Sequence, residues 1–383
     1  MLKKFYTWIV ILFVPLSLYK VNILTFTLAD AFLLAFILAY ITNILLIKNN
    51  KKIFINKHLL LISVGVIFHA LIIILISQLG IQSDMLLRTM RFVLYLLFIA
   101  LFVREYFDFR LGLKILKIIS VISSILLILQ FVLLNFANYY LSVYIPGLPL
   151  SAESLNELSR NYALGYSNRP NSIFQEPAHF ASYVLLFFAI TLFSNYKKEK
   201  LTLILIGVSL ILAGSSTGIL LALGLVFLWL LKLLKELNST KKILRYMLVL
   251  VFVAILGLIF IRSPIYNSFV DRTFENGSAT EGRFGNYSEV FLGQSSTLDK
   301  VIGQGMVDYE NYIPGIPRIY YYFGTIGLSI FFFYGLFGIF SKRGFNKIIL
   351  LLLFTSSFGT EIILGKFIVL YLPFIIGKTK NIN

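Results

Sequence analysis

Long apolar stretches separated by short polar connections recur along the whole chain. A helix needs about 20 predominantly apolar residues, within a range of about 17–25, to cross the hydrocarbon core of a bilayer. This pattern predicts an all-α polytopic membrane protein with about 12 transmembrane helices, forming a single integral membrane domain over residues 1–383. The predicted spans are 5–20, 23–47, 58–77, 86–103, 115–136, 177–194, 201–215, 217–235, 246–262, 318–340, 348–359 and 361–377.

Two pairs of these spans are short and leave the topology open. The stretches "GSSTG" (214–218) and "SSFGTE" (356–361) are typical of tight turns in helical hairpins. Each of the regions 201–235 and 348–377 is either a pair of full spans or contains a re-entrant segment. Lys3 and Lys4 precede the first apolar run, as in a signal peptide. No small-residue cleavage site follows, so we expect an uncleaved first helix.

Lysine placement predicts the orientation. The connections 48–57, 195–200, 232–245 and 341–347 are rich in lysine, as are both termini, and all fall on one side if the chain crosses twelve times. Positive charge accumulates on the cytoplasmic side, which places both termini there. The composition agrees with a membrane protein, being 58% hydrophobic with a mean hydropathy of +0.88. The net charge of +17 therefore reflects topology, and we expect no nucleic acid partner.

Two connections are long, and both face outward in this topology. They are the first long outer loop (137–176) and the second long outer loop (263–317). Connections beyond about 12–15 residues in a compact protein are usually functional. The sequence therefore predicts that function lies at the outer face.

Arginine and lysine are distributed differently. Only Lys20, Lys300 and Lys366 lie away from the cytoplasmic side among the lysines. Most arginines face outward or lie at outer helix ends, namely Arg88, Arg91, Arg160, Arg169, Arg262, Arg272, Arg283 and Arg318. The planar guanidinium binds phosphate through two hydrogen bonds. This set indicates an anion site for phosphate or pyrophosphate at the outer leaflet; the alternative is pairing with loop acids and lipid headgroups.

Arg88 and Arg91 lie on one face of the fourth predicted span, three residues apart. Their charges repel unless an anion or a carboxylate lies between them, and Asp84 is one turn away. Both a ligand site and a local ion pair fit. Asp30 and Gln130 are polar side chains within spans, which are functional candidates by default. Asp30 has the alternative of bonding to the nearby Thr27. Glu361 and Lys366 flank the last outer turn and are expected to pair within the bundle, although Glu361 could face the site.

The stretch "RPNSIFQEPAHFASY" (169–183), the first-loop motif, places a cation, a carboxylate and an imidazole at the start of a helix. Pro177 suits a first helical turn, and Glu176 then lies where the helix dipole favours an anion. His179 follows within the same turn, and Arg169 can fold back from the loop. A phosphate-binding cation beside a possible base is typical of group transfer from a phosphorylated donor. The alternative is a capped helix with a local salt bridge.

This motif resembles the Arg-Pro…Phe-x-Glu-Pro…Ala stretch of bacterial Wzy-type polysaccharide polymerases. The stretches "GRFGNYSEVF" (282–291) and "GQGMVDYENYIPGIPRIYYYFGTIGL" (303–328) resemble the second large outer loop of that family. In the family, this loop leads to a closing helix, which here contains Gly324 and Gly327.

The resemblance implies a metal-independent, cofactor-free glycosyltransferase with a GT-C-like fold. Such an enzyme works at the outer face of the bacterial plasma membrane on undecaprenyl-pyrophosphate-linked oligosaccharide repeat units. It transfers the growing chain to a new repeat unit, so that O-antigen, capsule or exopolysaccharide lengthens. Membrane lipid, a chain-length regulator and a flippase are the further partners that the resemblance suggests.

The same resemblance assigns roles to residues. Arg169, Arg283 and Arg318 match the loop motifs best as pyrophosphate ligands, with Arg160, Arg272, Arg88 and Arg91 as supports. His179 and Glu176 are the candidates for the base that takes a proton from the acceptor hydroxyl. Histidine titrates nearer neutral pH, so we favour His179 as base and Glu176 as an orienting or acceptor-binding residue.

Two alternative functions belong to related architectures. O-antigen ligases have a functional histidine in the second long loop, but "DYENYIPGIPRIYYYFG" contains none. A lipid-linked oligosaccharide flippase or transporter is expected to have charges along many helices and short outer loops, whereas here the outer charge is concentrated in two long loops. The chain contains no cysteine and only three histidines, which argues against a metal site.

Overall fold

A computed structural model describes most of the chain, and its regular elements are α-helices. The residues it describes are 1–21, 26–47, 54–76, 83–139, 141–151, 169–194, 200–235, 262, 286–293, 296–307, 309, 312–342 and 344–377. Within these ranges the only extended pairings are the isolated bridges Tyr19–Leu150 and Lys20–Thr27. The predicted all-α class is confirmed for the described residues.

The described helices follow the apolar stretches of the sequence, with ends that differ from the predicted ones by up to six residues. They are α1 Leu2–Leu16, α2 Leu28–Ile47, α3 Lys57–Ile76, α4 Ser83–Tyr106, α5 Phe109–Ala137, α6 Pro177–Phe193, α7 Lys200–Leu212, α8 Ser216–Lys235, α9 Asn286–Leu292, α10 Thr297–Ile302, α11 Gly315–Ser341, α12 Gly344–Ser356 and α13 Phe367–Ile376.

Six of these helices are long and apolar enough to cross a membrane, which supports the membrane-protein class. They are α2, α3, α4, α5, α8 and α11. The apolar helices α6, α7, α12 and α13 are shorter, with 10–17 residues each. The predicted span 246–262 lies outside the described residues except for Arg262. The full count of twelve spans, the GT-C-like fold and the sidedness therefore remain predictions.

Helix α6 is the centre of the bundle. Every side chain from Phe180 to Phe193 is buried, and the helix contacts α5, α7, α8 and α12. A helix that is apolar on all sides and buried on all sides belongs in a core. The hydroxyl of Tyr183 donates to the carbonyl of Ile11 at 3.0 Å, which joins α6 to α1. The first-loop motif therefore leads into a helix that is enclosed by the other described helices.

Helix α11 is broken at Gly324, where φ is 61° and ψ is −162°. The break frees two carbonyl oxygens, which accept hydrogen bonds from the crossing segment 301–305. The amide of Gln304 donates to Tyr321 at 2.9 Å, and the amide of Gly305 donates to Tyr322 at 3.0 Å. The predicted span 318–340 is thus interrupted, since the second long outer loop inserts its backbone against it.

We predict that Gly324→Ala destabilises the protein. This backbone conformation is essentially restricted to glycine, and a Cβ atom here would overlap the carbonyl group of Val301. The free energy of unfolding in bicelles should fall by about 1–3 kcal/mol or more. Gly224→Ala is the matched control, because Gly224 lies within α8 with open space around its Cα. Equal stability of the two variants would contradict the proposed constraint.

Candidate functional site

The first-loop motif ends where α6 begins, as predicted. Glu176 is the N-cap residue in an extended conformation, Pro177 occupies the first turn, and His179 is the third helical residue. The side chain of Glu176 makes no capping hydrogen bond. Its carboxylate is therefore placed at the helix start without serving as the cap.

Gln130 holds the middle of the motif against α5. This fully buried side chain accepts a hydrogen bond from the amide of Ser172 at 2.7 Å and donates to the carbonyl of Leu141 at 2.8 Å. Ser172 has a positive φ of 55°, and its hydroxyl donates to the carbonyl of Ser123 at 2.7 Å. The polar group predicted within this span is therefore a positioning residue for the loop.

Gln175 links the motif to the α12–α13 connection (357–366). Its backbone carbonyl accepts from the side chain of Asn171 at 3.2 Å. Its side-chain oxygen accepts from the ammonium of Lys366 at 3.0 Å. A cation from a distant part of the sequence thus reaches the residue that precedes Glu176.

His179 is enclosed by the same connection. Its ring centroid lies 5.4 Å from that of Phe367, the residue after Lys366. The Nδ1 atom of His179 is buried, and no hydrogen-bond partner for it lies within the described part of the chain. Buried polar atoms usually have a partner, so one supplied by a ligand would complete this position.

Arg318 lies in the first turn of α11 and forms an ion pair with Glu361. The side chains of Arg318 and Glu361 are 20% and 38% exposed, so the pair lies at the edge of the bundle. Glu361 and Lys366 both contact groups within the bundle, as expected: Glu361 pairs with Arg318 of α11, and Lys366 bonds to Gln175 of the first-loop motif.

The start of α11 is also bonded to the α12–α13 connection through its backbone. The amide of Gly315 donates to the carbonyl of Thr360, and the amide of Ile316 donates to that of Ser357, both at 3.0 Å. The first amides of a helix have no partner within the helix, so these carbonyls satisfy them. These bonds therefore hold the helix end that carries Arg318 against the α12–α13 connection.

Tyr287 adds a contact from α9 to the same connection. Its hydroxyl donates to the carbonyl of Phe358 at 2.7 Å. Burial raises the pKa of Tyr287 to about 12, so the hydroxyl keeps its proton at neutral pH. Both long loops consequently contact the segment 357–366.

Arg91 of α4 forms an ion pair with the carboxylate of Asp30 in α2. The Nε atom of Arg91 lies 3.7 Å from Asp30, which is fully buried. Asp30 also accepts from the hydroxyl of Tyr95 at 2.7 Å and from the amide and hydroxyl of Thr27 at 2.9 and 2.8 Å. The predicted Asp30–Thr27 contact is confirmed, and Asp30 is a carboxylate partner of Arg91.

The structure describes part of the predicted set and links two parts of it to one connection. Arg169, Glu176 and His179 share the first-loop motif, and Arg318 contacts the connection that also reaches this motif. Arg88 and Arg91 lie on α4. Arg160, Arg272 and Arg283 lie outside the described residues. Within the described ranges, no group of three or more His, Asp or Glu side chains has the arrangement of a metal site.

Sequence reasoning did not assign Gln175 and Lys366 to the site. Gln175 has no distinguishing signal, because a single glutamine in a loop is ordinary. Lys366 has one, because it is one of the few lysines away from the predicted cytoplasmic side. Its contact with Gln175 joins residues 191 positions apart, which no local pattern reveals.

No family model, curated protein or solved structure matches this chain. The resemblance to the Wzy-type polymerases therefore depends on the quoted motifs and on the predicted topology.

We predict that Gln130→Met loosens the first-loop motif. The change preserves side-chain volume but removes both hydrogen bonds, which should cost about 1–3 kcal/mol. Hydrogen–deuterium exchange of peptides covering 169–176 should become faster. Asn135→Met on the same helix is the control, since Asn135 is exposed and bonds only to its own helix carbonyl at Phe131 among the described contacts. Unchanged exchange in Gln130→Met would show that the two hydrogen bonds of Gln130 do not hold the first-loop motif in place.

Proposed function

We propose that the protein is a polysaccharide polymerase of the Wzy type. It joins undecaprenyl-pyrophosphate-linked oligosaccharide repeat units at the outer face of the bacterial plasma membrane, with both termini in the cytoplasm. One observation carries the proposal. The two regions with the family resemblance, represented by Gln175 and Arg318, both contact the α12–α13 connection. A transferase needs groups from both regions near one bond, and their contacts with a common segment support this proposal.

The reaction is a single group transfer. A hydroxyl oxygen of the new repeat unit attacks the anomeric carbon of the growing chain. The bond from that carbon to the pyrophosphate oxygen breaks, and undecaprenyl pyrophosphate leaves with the electron pair. The hydroxyl proton passes to a base, so the step requires no oxidant, reductant or cofactor.

His179 is the base in this proposal. Its buried Nδ1 atom lacks a hydrogen-bond partner among the described residues, and an acceptor hydroxyl would supply one. A positioned base typically contributes about 10²–10⁴-fold to the rate. Glu176, three residues earlier at the helix start, orients the acceptor.

The arginines stabilise the leaving group. Charge develops on the pyrophosphate as the bond breaks, and fixed cations near that charge usually give the largest single catalytic contribution. Arg169 supplies one from the first loop, Arg318 one from the start of α11, and Arg283 is a further candidate in the second loop. The guanidinium binds carboxylate and phosphate with the same geometry, so pyrophosphate would compete with Glu361 for Arg318.

We predict that the purified protein, given its cognate lipid-linked repeat unit without metal or nucleotide sugar, forms a ladder of longer glycans. His179→Ala should lower the rate by about 10²-fold or more. Arg169→Ala should lower it by about 10²–10³-fold. Gel separation of labelled glycans measures both rates. The control is Lys300→Gln, because Lys300 is an exposed residue of α10.

No ladder from folded wild-type protein would contradict the polymerase proposal and favour a ligase or a flippase. A ladder that survives both substitutions would retain the function and exclude this site.

We predict that reversing the charges of the Arg318–Glu361 pair distinguishes a role of Arg318 in pyrophosphate binding from a role in stability. Because the Glu361 side chain is 38% exposed, each single reversal should cost only about 1 kcal/mol of stability. The double variant Arg318→Glu/Glu361→Arg should recover that stability. It should not recover the ladder, since the guanidinium no longer extends from α11. Recovery of both would mean that Arg318 has a purely structural role.

A further inference from the structure

Helix α3 contains one ionisable side chain beyond its first turn, that of His69. The helix is long and apolar enough to cross a membrane, and His69 is half-buried within it. Ionisable side chains inside spanning helices are rare and are functional candidates by default. The role of His69 therefore has to be sought in what its ring contacts.

The imidazole of His69 bonds to the crossing segment 301–305 of the second long outer loop. Its Nε2 atom lies 2.6 Å from the carbonyl oxygen of Ile302, which is 233 residues away in the sequence. A carbonyl oxygen only accepts hydrogen bonds, so the Nε2 atom must carry a proton and donate it. This contact joins a spanning helix to the loop that enters the break of α11.

The same ring packs against the broken helix itself. The ring centroid of His69 lies 4.9 Å from that of Phe323, the residue that precedes the break at Gly324. His69 thus contacts both the crossing segment and the half of α11 against which that segment lies.

The crossing segment is closely enclosed between α11 on one side and α3 and α4 on the other. A Cβ atom on Gly303 would lie 2.5 Å from backbone atoms of Tyr322. A Cβ atom on Gly305 would lie 2.8 Å from the sulfur of Met85 and 3.3 Å from the Cγ2 atom of Ile73. Within a bilayer, non-helical backbone is tolerated only where protein encloses it and its polar groups have partners. His69 supplies one of these partners.

The position of the crossing segment also bears on Arg318. The two backbone hydrogen bonds of residues 304 and 305 join this segment to the first half of α11 (315–323), and Arg318 lies in that half. A segment that is fixed by His69 therefore restricts where the half-helix and its guanidinium can lie.

We propose that His69 is a positioning residue, whose Nε2–H group holds the crossing segment in the break of α11 and thereby places Arg318. The hold on the loop is a statement about the structure alone. The effect on the reaction rests on the proposed function.

Double electron–electron resonance on the full-length protein in lipid nanodiscs measures the position of the loop. Spin labels are attached at Leu61→Cys in α3 and Leu298→Cys in α10, which are exposed positions in a chain without cysteine. The distance distribution should be narrow with His69 in place. It should broaden in His69→Phe, which keeps an aromatic ring beside Phe323 but has no donor. It should stay narrow in His69→Gln, whose amide supplies a donor.

A second label pair distinguishes a local effect from a general loss of structure. Labels at Leu61→Cys and at Ile118→Cys, an exposed position of α5, report on the helices without the loop. Their distance distribution should be the same in His69→Phe as with His69 in place. Equal broadening of both pairs would mean that His69 supports the whole bundle, which would overturn the positioning role.

Nuclear magnetic resonance of the wild-type protein in bilayers tests the hydrogen bond even if His69→Phe does not fold. The chain contains three histidines, so labelling them with nitrogen-15 gives few ring signals, and His58→Gln and His179→Gln assign them. The Nε2 proton of His69 should exchange with water more slowly than the ring protons of the exposed His58. An Nε2 atom without a proton, or with one that exchanges as fast as those of His58, would overturn the inference.

The ladder assay separates this inference from the proposed function. His69→Phe should lower the rate about tenfold or more, since small displacements of positioning groups cost up to about 10²-fold, and His69→Gln should restore it. Unchanged distances in folded His69→Phe, or broadened distances with a wild-type rate, would overturn the positioning role and leave the polymerase proposal standing. Broadened distances in His69→Phe, with no ladder even from the wild type, would retain the hold on the loop and contradict the polymerase proposal.

Discussion

The α12–α13 connection is the segment on which the candidate site depends. One end bonds to the start of α11 through Arg318–Glu361 and two backbone hydrogen bonds, and the other end bonds to the first-loop motif through Lys366 and Gln175. The first-loop motif with Arg169 and the start of α11 with Arg318 are far apart in sequence. Ordering each loop separately would cost conformational entropy. A common partner lets one short segment hold both regions.

Packing and hydrogen bonds elsewhere in the bundle hold the regions that this segment contacts. Helix α6 is enclosed on all sides, Gln130 clamps the loop that leads into it, and α11 is broken at Gly324 to admit the second loop. In a bilayer, freed backbone groups must find partners within the protein. The break at Gly324 satisfies this requirement because its carbonyls accept from Gln304 and Gly305. The described parts of both loops are therefore held by hydrogen bonds to the helices.

The sequence predicted those features that depend on local composition. Apolar length identified the six described helices that are long enough to cross a membrane, and Pro177 after Glu176 located the start of α6. Features that depend on distant contacts were not predictable. The break at Gly324 requires the crossing segment 301–305, and the partners of Arg318 and Lys366 lie 43 and 191 residues away. Charge placement still gave a partial signal for one contact. Lys366 is one of the few lysines away from the predicted cytoplasmic side, and it contacts the first-loop motif.

The contact between the first-loop motif and the α12–α13 connection is the central claim, and cross-linking tests it directly. The chain contains no cysteine, so Gln175→Cys/Lys366→Cys introduces the only two thiols. A short bifunctional thiol reagent in native membranes should join them, and mass spectrometry should detect the linked peptides. The pair Gln175→Cys/Ser341→Cys, with Ser341 at the far end of α11, should stay unlinked. If Gln175 and Lys366 react singly but never link, the two segments do not form one site.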